Sequence, residues 1–336
     1  MPPNQRCTSW PVFTGTLHYF NGKFEAYQRT YVVSHFSSHV GYVWHQLSFR
    51  LVDSLGLNTI GTSIPYIKKE NLANFAYPIP GTETEQRAIA GALSDVDGLI
   101  GALEKLIAKK RAIKQAAMQQ LLTGKTRLPG FGGEWDTQQI DALATIDPEN
   151  LSSTTDPNLA FNYISLEDVD AGRLLGSSGQ TFKSSPSRAR RVLRHDDVLM
   201  ATVRPNLMAH LHFRSQVPSA VCSTGFAVLR ARSGLAAPGF LFAHLFGDVV
   251  NEQIEKTLAG SNYPAINSRD VRMIKVPCPP TVEEQHAIAT SLSDMDAEIE
   301  ALEQRRDKTR AIKQGMMQQL LTGRIRLVKP QPVSEA

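Results

Sequence analysis

Residues 85–128 read EQRAIAGALSDVDGLIGALEKLIAKKRAIKQAAMQQLLTGKTRL, and residues 284–327 read EQHAIATSLSDMDAEIEALEQRRDKTRAIKQGMMQQLLTGRIRL. The two stretches align without a gap at a constant offset of 199 residues, and 28 of their 44 positions are identical. Self-similarity of this length indicates a duplicated structural unit. The duplication therefore determines how the rest of the 336-residue chain is divided.

Each copy carries the signals that start and end one long helix. A Thr-x-x-Glu capping box opens both copies, at residues 82–85 and 281–284. A glycine closes both, Gly124 and Gly323, where a left-handed C-cap residue is expected. A run of about 40 residues at 1.5 Å each predicts a helix roughly 60 Å long.

Apolar residues in the copies recur at the alternating spacing of four and three that is typical of a coiled-coil seam. They are Ile89, Leu93, Val96, Ile100, Leu103 and Ile107 in the first copy and Ile288, Leu292, Met295, Ile299 and Leu302 in the second. Arg306 occupies the next seam position of the second copy. Two such stripes in one chain predict that the helices pair with each other as an antiparallel coiled coil.

Both copies also repeat an Arg-Ala-Ile-Lys-Gln segment and a Met-Gln-Gln-Leu-Leu-Thr-Gly segment. Repeated cations and glutamines exceed what a two-helix seam requires, which favours a partner-docking surface over an ordinary solvated one. The candidate docking residues are Arg111, Lys114, Gln119, Gln120, Arg310, Lys313, Gln318 and Gln319.

The two copies divide the chain into globular and helical parts, which predicts an α+β fold. Weaker matches of residues 61–65 with 260–264 and of 78–80 with 277–279 extend the repeat upstream. The predicted parts are a truncated first domain (1–80, the C-terminal half of a unit), the first long helix (81–128), a second, complete mixed α/β domain (129–280), the second long helix (281–327) and a tail (328–336).

The net charge of the chain is only +4, but cations are concentrated in one part of the second domain. Residues 171–235 hold ten Lys and Arg against two Asp, a balance of +8. Arginine forks fit phosphate oxygens and guanine edges, so the cluster favours a face that binds nucleic acid over a solvated surface. The candidates in this domain are Lys183, Arg188, Arg190, Arg191, Arg194, Arg204 and Asn206. Lys23, Gln28 and Arg29 are further candidates, on a hairpin predicted at 21–30 that either reaches into a groove or is an ordinary surface hairpin.

Several other kinds of site are disfavoured. His210-x-His212 lacks a third ligand at metal spacing, and Thr123-Gly-Lys-Thr ends a helix where a phosphate loop would begin one. The three cysteines have no C-x-x-C spacing. No apolar run has the length of a membrane span, and residues 1–10 do not resemble a signal peptide, so we expect a cytoplasmic protein. We expect no catalytic residue, metal or cofactor in this chain.

The layout resembles the specificity (S) subunit of type I restriction–modification systems. The resemblance is carried by Gly-x-x-x-Pro, by Pro-x-Pro followed by Glu-Gln-x-x-Ile-Ala, and by Gln-Gln-Leu-Leu-Thr-Gly, each present twice, and by residues 197–206 and 223–229. It implies a non-catalytic subunit whose target recognition domains each read half of a split DNA sequence. It further implies modification subunits that methylate adenine with S-adenosylmethionine, and restriction subunits that use ATP and Mg²⁺. The helix pair would then be a ruler and a docking platform.

The shortness of the first domain departs from the family pattern and leaves three outcomes open. The subunit is inactive, or it reads a shorter target with one domain, or two copies pair through their helices and read a symmetric target. A stand-alone dimeric DNA-binding regulator is a rival interpretation. An enzyme fused into the same chain is disfavoured, because the sequence carries no cofactor or metal motif.

Overall fold

The computed structural model describes residues 17–26, 30–54, 69–214, 217–258 and 264–328. The chain forms two compact units, one of residues 1–107 with 301–336 and one of residues 108–300. We refer to them as unit 1 and unit 2. Each contains part of both long helices. Among the described helices, none combines the length and the apolar character that crossing a bilayer requires.

The helices of the described chain are α1 (Val40–Ser54), α2 (Lys69–Ala73), α3 (Glu83–Leu121), α4 (Ile140–Leu143), α5 (Pro238–Leu245), α6 (Asp248–Leu258), α7 (Ser268–Met273) and α8 (Val282–Leu320). The strands are β1 (Asp136–Gln139), β2 (Ala144–Ile146), β3 (Ala160–Ile164), β4 (Val169–Asp170), β5 (Arg173–Leu174), β6 (Ser178–Thr181), β7 (Ala189–Val192), β8 (Asp197–Ala201), β9 (Leu211–Phe213), β10 (Ala220–Ser223), β11 (Phe226–Ala231) and β12 (Lys275–Cys278). The α+β class is confirmed.

The two repeated segments are single helices of 39 residues, α3 and α8. Gly124 and Gly323, just beyond their ends, have φ of 70° and 74°, so the predicted left-handed C-caps are present. A Cβ on Gly124 would lie 2.8 Å from the ring of Trp135, so the position has no room for a side chain.

The predicted capping boxes are only half formed. The hydroxyls of Thr82 and Thr281 accept a hydrogen bond from the backbone N–H three residues later, at 3.4 Å in both cases. The carboxylates of Glu85 and Glu284 do not complete the box, because each binds an arginine that follows the other helix.

In both units, ion pairs link α3 to α8, and the partners' numbers rise on one helix as they fall on the other. In unit 2 the bridges are Lys110–Glu298 (2.6 Å), Lys114–Asp296 and Arg127–Glu284 (2.5 Å). In unit 1 they are Lys313–Asp97 (2.6 Å), Arg310–Glu104 (2.6 Å) and Arg326–Glu85. The segments within each unit are therefore antiparallel, as predicted.

Two of these bridges are exact counterparts under the 199-residue offset. Lys114–Asp296 corresponds to Lys313–Asp97, and Arg127–Glu284 corresponds to Arg326–Glu85. In each pair the cation and the carboxylate have exchanged helices. The duplicated sequence thus makes the same contact twice, once in each unit.

The predicted seam is buried over most of its length. Ile89, Leu93, Leu103 and Ile107 on α3 and Ile288, Leu292 and Ile299 on α8 are all buried, and Val96, Ile100 and Met295 are partly buried. The seam of α8 becomes polar beyond that point. Leu302 is half-buried, like Val96, Ile100 and Met295, and beyond it Glu303 and Thr309 are buried.

The globular part of unit 2 contains two four-stranded sheets, in the orders β6-β3-β10-β7 and β2-β11-β8-β9. Strands β3 and β10 are parallel, and the other pairs in these sheets are antiparallel. The strands predicted at 197–202 and 225–229 are confirmed as β8 and β11, which pair directly. The helix predicted at 238–256 is two helices, α5 and α6, because the chain turns at Gly247.

Strand β8 is buried along its whole length because both of its faces are covered. Val198 and Met200 lie in a cluster with α5, α6 and the adjoining ends of α3 and α8. Leu199 and Ala201 lie in a second cluster with residues of β10. The alternation of side chains along a strand therefore yields three layers, of helices, sheet and sheet.

A further repeat links α1 to α5. Residues 40–47 (VGYVWHQL) and 238–245 (PGFLFAHL) align at an offset of 198. The carboxamide oxygen of Gln86 accepts a hydrogen bond from the N–H of His39 (2.8 Å), and that of Gln285 accepts one from the N–H of Ala237 (2.9 Å). Each long helix thus holds the start of a shorter helix in the same way.

The hairpin predicted at 21–30 is not formed by the residues that the structure describes there. Lys23 is exposed, and residues 17–26 contain no strand. Gln28 and Arg29 lie outside the described residues, as do residues 61–65 and 260–263.

We predict that Leu103→Asp destabilises the helix pair. Leu103 is 4 % exposed, whereas Leu99, one helical turn away, is 42 % exposed. Burying an unpaired carboxylate in place of a leucine is expected to cost about 3 kcal/mol or more. Urea denaturation should show this loss, whereas Leu99→Asp, the matched control, should change the free energy of unfolding by less than about 1 kcal/mol. Equal effects of the two substitutions would contradict the proposed seam.

We also predict that Arg127→Ala lowers the melting temperature by several degrees, because the buried carboxylate of Glu284 loses both hydrogen bonds from its arginine. Differential scanning calorimetry is the measurement. Arg87→Ala, which removes an exposed pair with Glu83, is the control and should leave the melting temperature nearly unchanged.

Candidate nucleic-acid interface

The two four-stranded sheets of unit 2 meet at a sharp corner, Thr224-Gly225, between β10 and β11. A Cβ on Gly225 would lie 2.7 Å from the side chain of Leu166, so the corner needs a glycine. The N–H of Thr224 donates to the carbonyl of Arg188 at 2.8 Å. The N–H and the hydroxyl of Thr202 both donate to the carbonyl of Gly225 at 2.8 Å. These bonds bring the start of β7 and the end of β8 to the same place.

The loop that follows β8 is strained at both of its ends. Arg204 and Met208 have φ of 49° and 53°, and a short 3₁₀ turn, Pro205–Leu207, lies between them. The N–H of Arg204 donates to the carbonyl of Pro264 at 2.8 Å. Left-handed conformations of non-glycine residues persist only where the surrounding structure imposes them, and they concentrate at functional sites.

We call the exposed residues at this place the corner surface. It comprises Arg188, Arg204, Asn206, Leu207 and Thr224, all of which are exposed. Within the described part of the chain, neither Arg188 nor Arg204 forms a salt bridge. Both guanidinium groups are therefore available to bind an anion or a base edge.

Arg191 was also predicted to bind DNA, but the structure places it inside the domain. Its Nη1 lies 2.5 Å from Asp147, and the side chain is 14 % exposed. Asp147 accepts two further hydrogen bonds, from the N–H of Val228 (2.9 Å) and the hydroxyl of Ser268 (2.6 Å). Arg191 therefore neutralises a carboxylate that ties three segments together, and its guanidinium is held inside the domain instead of being presented to DNA.

Arg194 and Arg230 belong to a second group of charges. Arg230 forks onto Asp197 with two bonds of 2.8 Å and also binds Glu149, while the Nε of Arg194 lies 2.8 Å from Glu149. These arginines, Arg230 foremost, hold the pKa of Glu149 below its ordinary value. Arg194 is exposed but lies away from the corner. The first residue of β7, Ala189, pairs with Ser223 beside the corner, whereas Arg194 follows the opposite end of that strand.

Two other predicted contacts lie apart from the corner. Lys183 is exposed and follows Thr181, which pairs with the first residue of β3, at the far end of the first sheet. The guanidinium of Arg190 stacks on Phe182, 4.6 Å from the ring centroid. Of the seven residues predicted in this domain, the structure brings Arg188, Arg204 and Asn206 together.

His210 has a role that the sequence did not suggest. Its Nδ1 accepts a hydrogen bond from the N–H of Ala201 (3.1 Å), and its carbonyl accepts one from Gly172 (2.9 Å). Burial lowers the pKa of His210 to about 4, so the ring is neutral and can accept this bond. His210 therefore anchors the strained loop. Among the described residues, no group of three or more His, Cys, Asp or Glu could hold a metal ion.

The candidate docking residues have mixed environments. Three of the repeated cations form ion pairs between α3 and α8, namely Lys114, Lys313 and Arg310. These ion pairs explain the three cations without a docked partner protein. The amide of Gln119 donates to Asp248 (3.1 Å), and Gln120 accepts from Thr126 (3.2 Å). Gln318 is exposed, Gln319 is half-buried and Arg111 is exposed.

Comparison with known proteins shows what this chain is similar to. Residues 202–309 match the type I restriction modification DNA specificity domain. The matched region begins at Thr202, on the loop of the corner surface, and extends into α8. The specificity subunit of the type I restriction enzyme MjaVIII from Methanocaldococcus jannaschii is 25% identical over 296 residues, which cover 83% of this chain and 69% of the relative.

The specificity subunit of the EcoDI enzyme from Escherichia coli is 21% identical over 334 residues, covering 90% of this chain and 73% of the relative. Among solved structures, the type I S subunit of M. genitalium has a TM-score of 0.56 at 15% identity, covering 84% of this chain and 72% of that one, and so shares its fold. Residues 202–309 therefore carry a type I restriction modification DNA specificity domain, and most of the chain is similar to specificity subunits of type I restriction enzymes.

Proposed function

We propose that this subunit recognises its DNA target through the corner surface. The observation that carries the proposal is the convergence of Arg188, Arg204 and Asn206 at the junction of the two sheets. Arginine makes paired hydrogen bonds to guanine, and asparagine makes them to adenine, along the major-groove edge. The three side chains have chemistry that suits base edges and phosphates, and the loop that carries two of them is fixed before DNA arrives.

We further propose that the subunit directs other chains to the site it binds. Modification subunits would methylate adenine with S-adenosylmethionine, and restriction subunits would use ATP and Mg²⁺ for translocation and cleavage. Support comes from the relatives, which are named as subunits of restriction enzymes. The exposed glutamines near the ends of α3 and α8, such as Gln119 and Gln318, are the proposed docking points. In this proposal the chain itself supplies no catalytic residue.

Sequencing of modified adenines tests this proposal directly. The full chain is expressed with a type I modification subunit in a host that lacks DNA methylation. A methylated motif is the expected result, and its symmetry reports whether one recognition domain or two paired copies read the DNA. No methylation from a soluble, co-purifying complex would count against the directing role. Specific DNA binding by a chain that associates with no methyltransferase subunit would favour a stand-alone regulator.

We predict that Arg204→Ala and Arg188→Ala each weaken binding to the recognised sequence by about 1–3 kcal/mol and leave the folded state intact. Fluorescence anisotropy on the target duplex and on a scrambled duplex measures the effect. Arg194→Ala removes the same charge at the opposite end of the sheet and is the matched control, for which we expect little change. If Arg194→Ala weakens binding as much as Arg204→Ala does, the corner surface is not the contact.

The opposite pattern is expected for Arg191→Ala. This substitution leaves the carboxylate of Asp147 without its arginine, so the free energy of unfolding should fall by about 2–4 kcal/mol. Chemical denaturation checks the loss. DNA affinity, measured at a temperature where the variant is folded, should remain near that of the wild type.

A further inference from the structure

One exposed side chain of the corner surface is apolar, and the proposed function gives it no role. Leu207 is 62 % exposed, and its neighbour Asn206 is also exposed. An isolated exposed leucine is ordinary on a protein surface. This one stands in a loop whose ends, Arg204 and Met208, both adopt the left-handed conformation.

The loop holds Leu207 outward by its own hydrogen bonds. The N–H of Leu207 donates to the carbonyl of Arg204 (2.9 Å), and the N–H of Met208 donates to that of Pro205 (3.0 Å). Pro205 is buried beneath the loop, and the N–H of His210 donates to the carbonyl of Met208 (2.7 Å). The exposure of Leu207 is therefore a fixed feature of the backbone, since the strained ends are imposed by the structure around them.

We propose that Leu207 contacts the C5-methyl group of a thymine in the major groove and thereby helps to specify one A·T pair of the target. The inference rests on the proposed function of the corner surface. Thymine is the base that presents an apolar group in that groove. Arg204 and Asn206, which stand beside Leu207 on the same loop, carry the donors and acceptors that match guanine and adenine in the same groove.

The test removes the methyl group from the DNA instead of changing the protein first. The wild-type full chain selects its site from a pool of random duplexes, and each thymine of the selected site is then replaced singly by deoxyuridine. We expect one replacement to weaken binding by about three- to ten-fold, the scale of one lost methyl contact. Because this series uses the wild-type protein, it does not depend on the folding of any variant.

The variant Leu207→Ala removes the other partner of the proposed contact. It should weaken binding to the thymine-containing site by a similar factor and should be insensitive to deoxyuridine at that one position. Leu235→Ala is the matched control, because Leu235 is 53 % exposed on the turn before α5, where its carbonyl accepts from Gln285. This control should keep the wild-type response to deoxyuridine.

Three results would overturn the inference while leaving the proposed function standing. Wild-type protein could bind every deoxyuridine duplex as tightly as the thymine duplex, or Leu207→Ala could retain the wild-type sensitivity. The third result uses a duplex that carries the fluorescent base 2-aminopurine beside the identified thymine. A rise in its fluorescence on binding of the wild type, but not of Leu207→Ala, would show that Leu207 is inserted between unstacked bases and does not contact a methyl group. Failure of the wild type to select any sequence would instead overturn the proposed function, and the inference with it.

Discussion

The fold depends on a reciprocal contact between two copies of one helix. In each unit, a nearly fully buried glutamate in the first turn of one long helix binds an arginine that follows the end of the other, as Arg127 does with Glu284 and Arg326 with Glu85. Leaving such a carboxylate without its partner is costly. The pair therefore fixes the register of two antiparallel helices that hydrophobic spacing alone would allow to slide.

This register positions the globular elements as well. The residue after each glutamate is a glutamine, and its carboxamide accepts from the first residues of a docked helix, at His39 in unit 1 and at Ala237 in unit 2. In unit 2 the docked helix is α5, which covers the sheet that contains β8 and β11. The end of β8 leads directly into the strained loop. Helix register and the placement of Arg204 are thus linked by a short series of packed contacts.

The long helices and their antiparallel pairing could be predicted from the sequence, because the duplication repeats the signals for helix length, helix caps and the apolar seam. The buried strand β8 was also recognisable from its apolar run. The buried ion pairs could not be predicted, because Arg191 and Arg230 bind Asp147 and Glu149, which lie outside the basic segment along the chain. The residue type of Arg204 also gives no indication that its backbone adopts the left-handed conformation. The identical Arg-Leu pairs at 127–128 and 326–327 were a usable signal for the helix contacts, since repetition extended past the helix ends.

The distribution of charge has a consequence for recognition. The excess of +8 in residues 171–235 is partly neutralised by Asp147 and Glu149, and Lys183 lies at the far end of a sheet. The corner surface therefore retains two guanidinium groups that form no salt bridge with any residue that the structure describes. Phosphate contacts set sequence-independent affinity, and base contacts set specificity. A surface with few charges on a rigid loop contributes little of the former. In the proposed interface, discrimination between sequences therefore rests on the fixed positions of a few side chains, which backbone strain and buried anchors provide.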